Sequence, residues 1–259
     1  MPVKGEKYFY ISSIAKGIKI LELLAGKEKL SVSDVARYSG FDRTGSHRYL
    51  ATLKELGYVE QDKSNMYQLT SKLLTLSSKY TQRFEIRKTA RPYLEKLNNT
   101  FNETINLGKF INNDILHIDR VESTEILRID SPLGTRAPAY CTAMGKAILA
   151  VLPSDEIDAY LNETNLERHG PNTIISPEKL RTELKKTLKR GYAIDNEEFV
   201  AGLTCIASPV YNNAERAYYA ISLSVPTARF FEVEAKKGYL FIKSACKELS
   251  EKQERAIKI

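Results

Sequence analysis

The sequence predicts an α+β protein in two parts, a small helical unit closed by a β-hairpin and a larger unit with an antiparallel sheet flanked by helices. Three observations predict it. Apolar residues recur at helical spacing from Ile14 to Leu56, with a capping residue or glycine at each break. Two short β-prone runs around a polar turn follow between Tyr58 and Leu69. Beyond Glu103, runs of short alternating strands are segregated from the helices, the pattern of an α+β domain. A chain of 259 residues is long enough for two domains of ordinary size.

The first helix carries Ile14, Ile18, Leu21 and Leu24 at helical spacing, with Ser12 or Ser13 as its N-cap and Gly26 just past its end. Ser31 caps a second helix over Val32 to Ser39, with Asp34 three residues on and Gly40 as its stop. After so short a link, Asp42 caps a third helix that turns Leu50, Leu53 and Leu56 inward and stops at Gly57. Two helices joined by a short glycine-containing turn form a helix-turn-helix. The hairpin around Asp62-Lys63-Ser64-Asn65 then supplies a wing. In such a unit the third helix enters the major groove of DNA, its outward N-terminal side chains reading bases while the wing holds phosphates. The candidates are Arg43, Thr44, Ser46, His47 and Arg48 on the helix and Lys63 at the wing tip. Arginine grips guanine through two hydrogen bonds, and Ser or Thr donates to a base or a phosphate.

Charge agrees. Residues 1–85 hold 14 basic and 9 acidic side chains, so +5 of the chain's +7 lies in its N-terminal third. Cations grouped this way release phosphate counterions on binding. No apolar run approaches a membrane span and the first residues lack the apolar core of a signal peptide, so the chain reads as cytoplasmic, with no membrane partner. Three cysteines without a C-x-x-C pair support neither a disulfide framework nor a zinc ribbon. His47, His117 and His169 lack ligand spacing, so neither a metal nor a cofactor is expected. No G-x-S-x-G, H-E-x-x-H or P-loop occurs, and neither Cys141 nor Cys205 sits in a recognisable catalytic motif, so no enzyme is expected.

Residues 70–84 read as a linker helix with Leu73, Leu74 and Leu76, and Ile86 to Asn102 as a further helix containing Pro92. The boundaries are therefore 1–69 for the winged unit, 70–85 for the linker and 86–259 for the C-terminal domain. In that domain, strands are expected at Thr104–Phe110, Ile115–Arg120, Glu125–Ile129, near Ala193, at Cys205–Val210 and at Tyr218–Val225, the last two joined through Asn212-Asn213. Helices are expected at Thr142–Val151, after Ser154 as cap, after Ser176-Pro177-Glu178 as far as Gly191, and at Phe231–Ser250. Ser222 and Ser224, two apart on one strand, share a face on which two hydroxyls donate to a carboxylate.

The strings SIAKGIKILELL, LSVSDVARYSGF, HRYLATLKELGYVEQD and YQLTSKLLTL resemble the winged helix of the isocitrate lyase regulator (IclR) family of transcription factors, over Ser13 to Leu76. At Thr44-Gly45-Ser46 that family more often has a Ser-Thr pair followed by an apolar residue. SPLGTRAPAYCTAMGKAILA, GYAIDNEEFVAGLTCIASPV and AISLSVP resemble the GAF-like effector-binding domain of the same regulators. The resemblance implies a sequence-specific regulator that binds double-stranded operator DNA as a homodimer or tetramer and answers to a small organic acid. It implies an effector pocket at Asp195, Cys205, Ser222 and Ser224, with Ile126 and Ile129 as an apolar wall and backbone N–H groups at Ala143 and Met144. The alternative is a ligand-sensing protein whose N-terminal domain docks a protein partner rather than DNA.

Overall fold

A computed structural model describes residues 10–81, 85–129, 132–211 and 216–257. The chain divides into two compact units, residues 1–83 and 84–259.

The first unit comprises α1 (Ser12–Ala25), α2 (Val32–Ser39), α3 (Arg43–Glu55), β1 (Val59–Gln61), β2 (Tyr67–Leu69) and α4 (Lys72–Thr81). Ser31 and Asp34 close a full capping box on α2, and Gly40 ends it in the left-handed conformation at φ 75°, which a side chain resists. Asp42 caps α3 by accepting from the Gly45 N–H at 2.7 Å. Strands β1 and β2 pair antiparallel, and Leu30 adds a bridge to Tyr67. The wing turn is held by Asp62, which accepts from the N–H groups of Ser64 and Met66, with Asn65 at φ 60°. The core gathers Ile20, Leu24, Leu30, Val35, Leu50, Leu53, Val59 and Tyr67.

Three sequence expectations for this unit need correction. Helix α1 is preceded by Ile11 with no side-chain cap, not by Ser12 or Ser13. Its buried face holds Ile20 and Leu24, while Ile14 and Ile18 stand about half exposed (58% and 50%). Leu56, expected inside, is 52% exposed. The linker helix is described only over Lys72–Thr81, and Phe84 lies outside the described residues.

The second unit begins with α5 (Glu85–Phe101), which runs through Pro92 without a break. It continues with β3 (Thr104–Ile111), β4 (Asp114–Val121), β5 (Arg136–Pro138), α6 (Ala143–Leu149), α7 (Ser154–Glu163) and α8 (Pro177–Arg190). Then come β6 (Ala193–Asn196), β7 (Leu203–Tyr211), β8 (Ala217–Pro226), α9 (Phe230–Ala235) and α10 (Gly238–Ile257). The six strands form one antiparallel sheet in the order β5-β4-β3-β8-β7-β6.

Both faces of this sheet are covered, so β7 and β8 are buried almost throughout and lose the simple inside-outside alternation. One face is branched and bulky. Ile105, Leu107, Ile118, Ile206, Ile221, Leu223 and Val225 pack there with Leu94 of α5 and Ile242 of α10. The other is built from small residues, Ala193, Cys205, Ala207 and Ala220, packed with α6. Gly108 belongs to that face: a Cβ there would lie 2.6 Å from Ile115 Cγ2 and 2.8 Å from Met144 Sδ.

The segment Glu125–Ile129 is not the expected strand but an irregular loop, pinned by Asn102, which donates to the Glu125 carboxylate, by Thr104 and by Arg229, which also makes a bidentate pair with Glu103. A short strand, β5, was not expected. Ser154 is the first residue of α7 and not its cap; Pro153 holds that position. The single C-terminal helix is two, broken where Lys237 adopts φ 55°. Asn212-Asn213 lies outside the described residues, although β7 and β8 do pair.

Candidate functional site

Two sets of residues carry chemistry, one in each unit. On α3 the buried stripe is Ser46, Leu50 and Leu53, at i, i+4 and i+7. Thr44 and Arg48 lie opposite that stripe, His47 flanks them and Arg43 opens the helix; all four are exposed, and Lys63 is exposed at the wing tip. Among the described residues none of Arg43, Arg48 or Lys63 has an ion-pair partner, so their charge is free for an anion. Nearby, Lys16 and Lys19 lie over the Phe41 ring at 5.6 and 5.2 Å, adding positive charge beside the turn between α2 and α3.

Ser46 is the exception among the expected contacts. It is fully buried and its hydroxyl has no hydrogen-bond partner, so it faces the core and not a base. The glycine before it has a local reason: a Cβ on Gly45 would sit 2.7 Å from Asp42 Oδ2, so glycine lets the cap close tightly.

In the second unit the small-residue face brings most of the expected pocket residues together. Asp195 pairs in register with Cys205, and Cys205 with Ser224; Ser222 pairs with Asn106. Directly paired residues of an antiparallel sheet share a face, so these side chains form one polar patch. Cys205 Sγ donates to Ser224 Oγ at 3.2 Å, and Asn106 Nδ2 donates to the same oxygen at 3.1 Å. Burial holds the Cys205 thiol protonated, which makes it the donor.

Asp195 is 2% exposed and accepts from the N–H groups of Glu198 and Phe199 at 2.8 and 3.4 Å, which ties the 197–202 loop to β6. Burial raises its carboxyl to about 7, against the lowering effect of those N–H bonds. Ala143 and Met144 begin α6, where Thr142 caps the Gly145 N–H. That helix has only seven residues, so its dipole adds little to an anion site. Ile129 packs beside this cluster. Ile126 does not: it is fully exposed on the irregular loop and lines no wall.

Sequence reading missed four polar residues with buried side-chain atoms on this side of the sheet, Lys146, Glu198, Asn106 and His117. Lys146 of α6 is fully buried and ion-paired to Glu198, whose second oxygen Oε2 has no partner. The two lie 52 residues apart, and no spacing rule links them. Asn106 is 1% exposed, with Oδ1 unpaired. Its position on a predicted strand was legible, but its face was not until Ser222 lay opposite. His117 faces Gly108 across β3 and β4, also with an unpaired nitrogen, and burial lowers its pKa to about 4, so it is neutral near pH 7.

Among the described residues no cluster of His, Cys, Asp or Glu is arranged to hold a metal, and no helix is long and apolar enough to cross a membrane.

Comparison with known proteins bears on both sets. Residues 13–63 match the IclR helix-turn-helix domain, and residues 78–251 match the bacterial transcriptional regulator IclR C-terminal domain. The chain is 32% identical to the HTH-type transcriptional regulator KdgR of Escherichia coli, over 93% of this chain and 92% of that protein. The crystal structure of the Thermotoga maritima IclR is 31% identical, with a TM-score of 0.83, covering 94% of this chain and 99% of that one. An IclR homolog from Microbacterium hydrocarbonoxydans, crystallised with 4-hydroxybenzoate, shares the fold at 22% identity and a TM-score of 0.79, over 94% and 99% of the two chains. Nothing in these relatives supports an N-terminal domain that docks a protein instead of DNA. The chain belongs to the IclR family and is a DNA-binding transcriptional regulator, not an enzyme.

Proposed function

We propose that Arg43, Thr44, His47 and Arg48 of α3 and Lys63 of the wing make the DNA contacts, and that Asp195, Cys205, Ser222 and Ser224, with Ile129, Ala143 and Met144 around them, receive a small organic acid. The observation that carries the first half is the set of unpaired cations on the outward face of α3 and at the wing tip. The second half rests on the two serines of β8 sharing one buried polar face with Asp195 and Cys205. The 4-hydroxybenzoate bound by the M. hydrocarbonoxydans homolog is an organic acid of the kind expected.

In this reading residues 1–69 bind DNA, 70–85 link, and 86–259 sense the effector and oligomerise, in the cytoplasm. The active species is a homodimer, or a tetramer built from dimers, because a palindromic operator matches two-fold protein symmetry. The half-exposed stripe of Ile14 and Ile18 on α1, with Leu56 and the exposed Leu74 and Leu76 of α4, supports a contact with a second copy. Effector binding favours one arrangement of the dimer and so changes operator affinity.

The test pairs two variants. Arg48→Ala is expected to weaken DNA binding and flatten its salt dependence while effector binding persists. Ser222→Ala combined with Ser224→Ala is expected to abolish the effector response while DNA binding persists. Unchanged DNA affinity in the first, or an unchanged response in the second, contradicts the corresponding half.

A further inference from the structure

Within the polar patch, the hydrogen bonds around Ser224 constrain what a ligand must offer. Ser224 Oγ accepts from Asn106 Nδ2 and from the protonated thiol of Cys205, so both of its lone pairs are occupied. Its own hydrogen is then left to donate, and a carboxylate oxygen is the natural acceptor. The same bond fixes the Asn106 amide. With Nδ2 turned to Ser224, Oδ1 faces away, buried and without a partner among the described residues. A buried amide oxygen left unpaired is costly, so it selects for a donor brought by whatever occupies the site.

A donor and an acceptor thus stand side by side on one sheet face, Ser224 for a carboxylate and Asn106 for a group carrying a hydrogen. A plain fatty acid satisfies only the first. A keto acid places a second acceptor where an acceptor already stands. A hydroxylated carboxylic acid satisfies both.

Resting on the effector reading above, we propose that Asn106 is a specificity-determining residue whose Oδ1 accepts a hydrogen bond from an effector hydroxyl, so that the effector is a hydroxylated carboxylic acid. Sites that hydrogen-bond a hydroxyl discriminate strongly against analogues lacking it, because their own buried group is then stranded.

The experiment is calorimetric titration of the full-length protein with matched acids at pH 7.5: propionate against lactate and pyruvate, butyrate against 3-hydroxybutyrate, and benzoate against 4-hydroxybenzoate. The expected result is that acids bind and that the hydroxylated member of a bound pair is preferred by about 10- to 100-fold. Asn106→Leu, which keeps the branched outline of Asn without its polar atoms, is expected to weaken the hydroxylated acid far more than its unhydroxylated partner and so to erase that preference. Asn106→Thr keeps an oxygen acceptor on a strand-compatible side chain and is expected to restore part of it. If the Leu variant does not fold, the wild-type pairs and the Thr variant decide. Acids that bind without regard to the hydroxyl, or a preference that survives in Asn106→Leu, overturn the proposal and leave the effector pocket standing. Failure of every acid to bind overturns the pocket reading itself, and this proposal with it.

Discussion

Lys146 and Glu198 form an ion pair enclosed by protein, with the lysine fully buried. Taking either charge out of water is costly, and the pair is tolerated because each partner offsets the other. Removing one leaves the other stranded, so Lys146→Met and Glu198→Gln are each expected to cost about 3–5 kcal/mol in chemical denaturation. The double variant should recover much of that loss; additive losses would show that the two side chains act separately. Asp195, beside this pair, carries a carboxyl that burial raises from 3.8 to about 7. Between those values the folded protein holds a proton that the unfolded chain has released, so stability falls as pH rises from about 4 to about 7. Glu198, Lys146, Cys141 and Cys205 are the other titratable groups acting on it. Asp195→Asn keeps an acceptor oxygen for the Glu198 N–H but removes the titration, so its urea midpoint should change less between pH 5 and pH 7 than the wild type's. Equal slopes would exclude Asp195 as the source. Ser46 offers the opposite case. Its hydroxyl is buried and unpaired, so Ser46→Ala is expected to leave stability equal or raise it by up to about 1 kcal/mol, with DNA affinity unchanged. The sequence placed Ser46 near the right turn but on the wrong side of it, because residue type favours a polar surface position and only the packing of Leu50 and Leu53 fixes the helix's rotation.

Individual elements show the same division between what local patterns carry and what only packing decides. The capping box on α2, the Asp42 cap on α3, the Ser176 cap on α8 and the left-handed glycines 40 and 191 are all local chemistry, and each lies where residue type placed it. The inward face of α1 is not local. Ile14 and Ile18 satisfy the same helical spacing as Ile20 and Leu24, and nothing within the helix says which stripe the unit's own core takes. The loop at 125–129 read as a strand from its composition, but hydrogen bonds from Asn102 to the Glu125 carboxylate, from Thr104 to the Ile129 carbonyl and from Arg229 to the Leu127 carbonyl hold it in irregular form. The break between α9 and α10 is invisible to apolar periodicity, which continues across it. Helix α6 depends on close approach to the turn at Ala139: a Cβ on Gly145 would collide with the Ala139 backbone, which cannot step aside as a side chain does. Gly145→Ala is therefore expected to lower the melting temperature of the second unit markedly and, if the proposed pocket beside this helix receives the effector, to weaken effector binding. A melting curve matching the wild type's would mean that the turn moves without cost.

At the scale of the whole molecule, the proposed dimer would be regulated through occupancy of the second unit altering how its two winged units engage DNA. A coupling of about 1–3 kcal/mol, the usual size for such linkage, corresponds to a 5- to 150-fold change in operator affinity. The pairing itself is open to sedimentation analysis. Ile14→Glu combined with Ile18→Glu places two charges on an exposed apolar stripe that the unit's own core does not use, so folding should survive while self-association and binding to palindromic DNA weaken. Unaltered association would exclude this stripe as a contact between copies. The assignment of the chain to a DNA-binding family leaves the reading residues to be tested, and one measurement does so most directly. Genomic DNA fragments are selected by the full-length protein at near-physiological salt and sequenced, with Arg48→Ala run in parallel. The wild type is expected to enrich a palindromic site, and the variant to lose that enrichment. Enrichment of the same site to the same extent by Arg48→Ala would contradict the outward face of α3 as the surface that reads DNA.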